Sequence, residues 1–569
     1  MKRTCKKVRC APRPRNPPIR ISDFRRARYS GRVRAAMTPP ASSANFAATD
    51  AADVRHSWHP FTQMREYLDH PRLHIARAKG CWLFDTEGHR YFDGTASLWT
   101  NVHGHGDPDL DAALRAQLDQ VAHTTLLGIN HPQAAALAGE LATLTDGKLS
   151  RCFFSDNGSN AVEIALKLSF QYWQLSGKPE KRGVIGLTGS YHGDTFGTMA
   201  VGDSGGFHAR FAPWLFPAKH IPAPVHVECA GKVLRSDASK SIAALDALLA
   251  AEANRTACLI MEPRVQGAAG MVQQPPGFVA AVAERCRRAG VHLILDEVFT
   301  AFGRLGALTA CSGAGFQPAQ LDSQKPRTAD TTNASASLSP SEGERAGVRG
   351  GLGSGTGFQP VQWDSRTPSD SQTSNISPDR RDACPTTPDF LCLAKGLSGG
   401  YLPLAATLTS DAIHDAFLGT FSQQRAFYHG HTFSGNPLAC AVARASLAKL
   451  RPLLASGRVA ETIATLGNEL AAHCAGHPHV AEIRQLGLTG AIDLVPRDRH
   501  RRWPADLRAG FQVSLAARKH GLVIRPLGDS LLIVPPVVAT PDEVRHLARA
   551  LHAALDDVLP GLEPAAVPR

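Results

Sequence analysis

An α/β fold with a mostly parallel central sheet is predicted for this 569-residue chain by three features. Short apolar runs recur: "RGVIGLT" (182–188), "ACLIMEP" (257–263), "VHLILDEV" (291–298), "DFLCLAK" (389–395) and "LPLAATLT" (402–409). They are apolar on both faces, as strands buried within a parallel sheet must be. Helical stretches such as "GFVAAVAERCRRAG" (277–290) separate them, the pattern of strands joined by crossovers. The C-terminal third ("ETIATLGNELAAHCAG", "HGLVIRPLGDSLLIVPP", "TPDEVRHLARALHAALDDVL") reads as helices with a few strands, a smaller α+β domain.

Taken in order, residues 1–50 form a basic extension expected to be disordered, and residues 51–100 the first part of the small domain. Within the latter, "RAKGCWLFDTEGHRYFDG" (77–94) alternates apolar and polar residues around a turn, a β-hairpin pattern. The large domain is expected over 101–430. It includes "LSRCFFSDNGSNAVEIALKLSFQYWQ", a short strand, a polar Gly-containing turn and a helix. Val162, Ala165, Leu166, Ser169, Phe170 and Trp173 recur there at helical spacing. The rest of the small domain is expected over 431–560.

Composition narrows the class. Hydrophobic residues make up 43% and charged residues 20%, as in ordinary soluble proteins. No window approaches the 18 or more apolar residues of a membrane-spanning helix. The formal charge of +12 does not point to a nucleic-acid-binding face. Residues 1–36 hold thirteen Lys and Arg against the single acid Asp23, which is the whole excess, and the rest of the chain is formally neutral. The tail lacks an apolar h-region and so is not a secretory signal. A transit-like leader, a nucleic-acid arm and an over-long start with Met37 as initiator all fit it, and the last is the expectation here. Twelve cysteines are scattered without a CxxC or a Cys/His knuckle, against a zinc site or a disulfide scaffold. A reducing cytoplasm is expected.

One passage breaks the pattern. "GAGFQPAQLDSQ" (313–324) returns almost unchanged as "GTGFQPVQWDSR" (355–366), inside a Gly-, Pro- and Ser-rich stretch spanning 312–387. Without apolar periodicity, that stretch is expected to be a disordered insertion. Lengthening a loop from about ten to about eighty residues costs roughly 2 kcal/mol.

In open α/β sheets ligands sit at the carboxyl ends of the strands. "DNGSN" offers Gly158 and Ser159 at a helix N-terminus, where free N–H groups and the dipole favour a phosphate. "VIGLT" leads to "GSYHGDT", with Tyr191, His192 and Asp194, and "LILDEV" carries Asp296 at its end. "LCLAKG" ends in Lys395. Burial lowers a lysine's pKa, which suits a Schiff-base nucleophile. A carboxylate on a neighbouring strand end can pair with a pyridinium nitrogen, so the set points to pyridoxal 5'-phosphate.

The motifs "WHPFTQM", "DGTASLWTNVHGHGDP", "SDNGSNAVEIALKLSFQYW", "GSYHGDTFG", "MEPRVQGAAGM", "LDEVFTAFGR", "LAKGLSGGYLPLAATL", "HGHTFSGNPLACAVA" and "VIRPLGDSLLIVPP" resemble those of the class-III aminotransferases. Within them they resemble the branch that converts 8-amino-7-oxononanoate to 7,8-diaminononanoate for biotin. The resemblance runs from about Trp58 to Leu559, leaving out 312–387. It implies the type I fold of pyridoxal-phosphate enzymes and a homodimer. Lys395 would form the Schiff base with the cofactor and shuttle the substrate proton. Asp296 would hold the pyridine nitrogen, and Tyr191 would lie along the ring and touch substrate. Gly158 and Ser159 would cradle the phosphate, with Gly430, His431 and Thr432 completing the site from the partner subunit. Trp99 would line the substrate cleft, Arg525 would pair with the keto acid's carboxylate, and Arg304 would be a second cation near it. His192 and His105 are expected to orient loops.

S-Adenosylmethionine is the expected amino donor. Two departures bear on it, Phe61 where the branch carries Tyr and "HGHT" where it carries "HGPT". A lysine-using group shares both, so L-lysine stays open as donor. Two further readings stand beside this one: another class-III ω-aminotransferase, and a basic-tailed binding protein whose insertion has disabled the fold.

Overall fold

The computed structural model describes residues 43–310 and 387–568. Residues 1–42, with Met37, and, but for residue 387, the 312–387 insertion lie outside the described residues; residues 43–50, expected to be disordered, instead belong to a helix, Ser43–His56. Two compact units are present. The first holds the residues up to His74 together with Thr86–Gly88. In it, Asp50 receives both Arg72 (2.5 and 2.7 Å) and His74 (3.0 Å), while Asp53 accepts the Tyr67 hydroxyl at 2.6 Å. Phe61 stands in this unit, exposed, at a φ of 51°.

The second unit, residues 75–85 and 89 onward, is organised by a seven-stranded sheet. In chain order its strands are β1 (Arg151–Ser155), β2 (Gly183–Leu187), β3 (Lys219–Ile221), β4 (Thr256–Met261), β5 (His292–Asp296), β6 (Phe390–Leu393) and β7 (Ala405–Thr409). Across the sheet they run β1-β7-β6-β5-β4-β2-β3. Strands β3, β2, β4, β5 and β6 are mutually parallel, and β7 is antiparallel to both β6 and β1. Every residue of β4, β5, β6 and β7 is buried, which is why these strands read as unbroken apolar runs. The runs expected from the sequence each coincide with one of these strands to within a few residues.

Helices cover the sheet. Helix α1 (Gly158–Leu175) starts after β1, capped by Asn157, whose side chain accepts from Asn160 N–H at 2.9 Å. It buries Ala161, Val162, Ala165, Leu166, Leu168, Ser169 and Trp173. Phe170, assigned to that face from spacing, is instead about half exposed. Helix α2 (Phe278–Ala289) buries Phe278, Val279, Val282, Ala283 and Cys286 and ends at Gly290, whose φ of 62° provides a left-handed cap.

The strands at Ile75–Lys79, Trp82–Asp85 and Arg90–Asp93 form a sheet joined in parallel by Leu522–Val523, so the two ends of the chain share a sheet. A second sheet combines Val480–Leu486, Thr489–Leu494, Ser530–Ile533 and Arg525–Leu527. Among the described residues no helix is long and apolar enough to cross a membrane, and the cysteines are free.

Candidate active site

At the carboxyl ends of β1, β2, β4, β5 and β6 lies a cavity of about 430 Å³. Parallel strands deliver their following loops to one edge, so residues far apart in sequence converge there. Asp296 ends β5 and Lys395 follows β6, two strands in direct register with Asp296 opposite Cys392. Lys395 takes a φ of 47°, a left-handed conformation that turns the chain sharply at the strand end.

The lysine is enclosed, with only part of its surface open to the cavity. Burial lowers its pKa, against the opposing pull of the Asp296 and Glu262 carboxylates. Its Nζ lies 5.0 Å from the centre of the Trp99 ring and 5.8 Å from that of Phe299. Asp296 is buried and accepts His192 Nδ1 at 2.7 Å on Oδ2 and Val298 N–H at 3.1 Å on Oδ1. His192 therefore orients the carboxylate, and its own Nε2 is buried without a hydrogen-bond partner.

At the other end of the cavity stand Gly158 and Ser159, the first residues of α1. A Cβ on Gly158 would lie 2.6 Å from Val298 Cγ1, so the helix start is packed directly against the loop after β5. Gly193 has a φ of 128°, and a Cβ there would sit 2.0 Å from Ser159 Oγ. Two glycines thus let the chain pack directly against the Val298 and Ser159 side chains beside the first N–H groups of the helix, the form of a phosphate cradle. Tyr191 lines the same cavity, donates its hydroxyl to Asp194 at 2.9 Å and stacks near His208. Burial, chiefly, raises its phenol pKa.

Glu262, at the end of β4, was not singled out from the sequence, although "LIMEP" carried the signal of an acid after a buried run. It is 5% exposed and accepts the backbone N–H groups of Tyr191 (3.1 Å) and Gly267 (2.9 Å). Burial, with Asp296 nearby, pushes its pKa up to about 7, against the opposing effect of His192.

The Trp99 wall rests on an unusual backbone. Ala96, Ser97, Leu98 and Trp99 all have left-handed φ, from 46° to 70°. Hydrogen bonds from Trp99 N–H to Thr95 O (2.7 Å) and Thr100 N–H to Ala96 O (2.9 Å) close the turn. For non-glycine residues this costs about 1–2 kcal/mol each, so about 4–8 kcal/mol for the turn. The Trp99 ring packs on Phe299 at 4.6 Å, and a Cβ on Gly267 would lie 3.2 Å from Trp99 Cζ3.

Other expected site residues stand elsewhere. Arg304, expected as a second cation near the substrate, does not line the cavity, although its charge acts on Lys395. It is 2% exposed, and its guanidinium donates to the carbonyls of Pro535 (2.5 Å) and Asn101 (3.4 Å). Burial lowers its pKa to about 10. Arg525 is exposed on its strand and also outside the cavity lining, but its register partner Leu532 packs in the cluster containing Phe299 and Trp99. Paired residues share a sheet face, so Arg525 stands on the side of that cluster. Gly430 and Thr432 are exposed and His431 is half-buried, 3.4 Å from Asp156 Oδ1; none of the three lines this cavity. His105 bonds Asp93 at 3.1 Å, a loop-orienting contact.

The residues present fit pyridoxal phosphate: an enclosed lysine of lowered pKa, a buried and oriented carboxylate, aromatic walls and a bare-backbone cradle. Comparison with known proteins agrees. The aminotransferase class-III family model matches residues 63–355 and 381–555. The adenosylmethionine-8-amino-7-oxononanoate aminotransferase of Geobacter sulfurreducens is 37% identical over 513 residues, covering 90% of this chain and 97% of its own. The crystal structure of the Methanocaldococcus jannaschii protein of the same name superposes with a TM-score of 0.74 at 30% identity, over 90% of this chain and 99% of its own. An amine transaminase from an uncultivated Pseudomonas species, solved in its PLP-bound form, gives 0.70 at 30% identity, over 88% and 99%. The chain belongs to the class-III aminotransferases, enzymes whose cofactor is pyridoxal 5'-phosphate.

Proposed function

We propose that this enzyme transfers an amino group to 8-amino-7-oxononanoate, giving 7,8-diaminononanoate for biotin synthesis in the cytoplasm, with S-adenosylmethionine as donor. The observation that carries this reading is the convergence of Lys395, Asp296 and the Gly158–Ser159 cradle in one cavity, in a chain whose relatives bear that name. When bound, pyridoxal phosphate supplies the electron sink that makes a proton removable from the carbon bearing nitrogen.

The chain's own residues supply the rest. Lys395 Nζ, whose charge burial disfavours, would hold the cofactor and then take and return the proton at the reacting carbon. Asp296, held by His192, would take the pyridine nitrogen of the cofactor and favour its protonated form. The N–H groups of Gly158 and Ser159 bind the phosphate, and Trp99 with Phe299 keeps water from the reacting end. Tyr191 stands beside the ring and contacts substrate, with Phe61 and Trp99 as further substrate contacts. Arg525 takes the keto acid's carboxylate bidentately.

A homodimer is part of this reading. Gly430, His431 and Thr432 would complete the partner's phosphate cradle and substrate site. Exposed apolar residues support it: Leu127 (89%) and Ile129 in one segment, Tyr428 and Phe433 in another. The two segments touch, with Phe433 4.7 Å from His123 and Asn436 bonded to Ala122. A patch of this kind marks an interface.

The test is a parallel assay of the purified enzyme with S-adenosylmethionine and with L-lysine. Diaminononanoate should form with S-adenosylmethionine. Product only with lysine, the outcome that Phe61 and His431 would explain, overturns the donor. Product with neither overturns the reaction.

A further inference from the structure

The strained turn under Trp99 needs a holder, and the fold provides one. Asp93, at the end of Arg90–Asp93, is completely buried. Its Oδ1 accepts Ser97 N–H (3.0 Å), Thr95 N–H (3.3 Å) and the Thr95 hydroxyl (3.2 Å). Its Oδ2 accepts the Ser97 hydroxyl (2.8 Å) and His105 Nε2 (3.1 Å). Burial alone would raise this carboxyl's pKa, but His105 and the Ser97 donors outweigh it and hold the group below the ordinary range. The residue between Asp93 and the turn is equally fixed. Gly94 N–H donates to Val523 O (2.9 Å), Val534 N–H donates to Gly94 O (2.8 Å), and a Cβ on Gly94 would meet Val523 O at 2.8 Å.

We propose that Asp93 is a positioning residue for the substrate wall. Its carboxylate gathers the donors of residues 95–97, holds the left-handed turn closed, and so sets the Trp99 indole against Phe299 and over Lys395 Nζ. The inference rests on Trp99 lining the substrate cleft. Nothing in "DGTASLW" asks for a left-handed turn, since none of residues 96–99 is glycine. Asn at position 93 would keep the shape but present an N–H₂ to the Ser97 hydroxyl and His105, where the carboxylate now accepts.

A double-mutant cycle on the holoenzyme tests this. Asp93→Asn and Trp99→Phe should each lower kcat/KM for the keto substrate about tenfold, and the double variant should fall no further than Trp99→Phe alone. A second readout does not depend on turnover. The near-ultraviolet circular dichroism of Trp99, taken as wild type minus Trp99→Phe without cofactor, should collapse in the Asp93→Asn background. Should Asp93→Asn fail to fold, Ser97→Ala removes one donor only and should show a smaller loss, again absent in the Trp99→Phe background. Additive losses, or an intact Trp99 signal, overturn the inference while leaving the aminotransferase reading untouched. An unchanged kcat/KM in Trp99→Phe overturns the substrate wall itself, and the inference with it.

Discussion

Glu262 offers the sharpest thermodynamic test of the cavity. Its carboxyl is moved from an ordinary 4.5 to about 7, chiefly by burial. An acid whose pKa is raised by folding is held more easily in its protonated form. The associated stability is complete below pH 4.5 and is lost as pH climbs through about 7. At about 1.36 kcal/mol per pH unit, the full loss is about 3 kcal/mol, most of it falling between pH 5 and 8. Glu262→Gln keeps the shape and cannot ionise, and its N–H₂ meets one of the backbone N–H groups of Tyr191 and Gly267 at every pH, a cost that does not vary with pH. The stability difference between variant and wild type should therefore move by about 3 kcal/mol in the variant's favour between pH 4 and pH 8, most of it between pH 5 and pH 7, as read from urea midpoints. Titrating groups away from this cavity are common to both proteins and cancel. Stability curves that run parallel across this range would show that Glu262 is not ionising from a buried state, and the reasoning from burial would be refuted.

Three other outcomes are expected. Lys395→Ala should abolish turnover and the visible absorbance of the cofactor's Schiff base, because among the described residues no other enclosed amine lines the cavity. Gly193→Ala should weaken pyridoxal phosphate binding at least tenfold in fluorescence titration. The φ of 128° and the 2.0 Å approach to Ser159 Oγ force the cradle apart, a strain of about 1–3 kcal/mol. Deletion of residues 312–387 should leave the cofactor's absorbance intact and raise stability by roughly 2 kcal/mol, read from the urea midpoint.

Much of the fold was legible because buried parallel strands write themselves as uninterrupted apolar runs, and these end at the residues that carry chemistry. Lys395, Asp296 and Gly158 were legible for that reason. The direction of β7 was not: "LPLAATLT" looks the same whichever way it runs, and only the short link from Leu393 to Ala405 disfavours a helical crossover. The burial of Arg304 was not legible because its carbonyl partners, Pro535 and Asn101, lie 231 and 203 residues away. The turn at residues 96–99 was invisible for a related reason. Local preference opposes it, and Asp93 with its neighbours overrides that preference through tertiary contacts. Phe170 fits a helical stripe by spacing, yet that edge of α1 meets no core.

The register between β5 and β6 also separates two kinds of distance. Asp296 and Lys395 are ninety-nine positions apart along the chain, yet Asp296 stands across the ladder from Cys392. The start of β6 is tied just as firmly, with Asp389 N–H on Leu293 O at 2.9 Å and its carboxylate on Leu293 N–H at 2.8 Å. The span between Asp296 and Lys395 is therefore written in interstrand hydrogen bonds and is indifferent to how much chain is threaded between them. A crossover in such an enzyme is a place where a gene can gain sequence without renegotiating its chemistry. A search that identifies these enzymes by a fixed Asp-to-Lys spacing would pass over those that have done so.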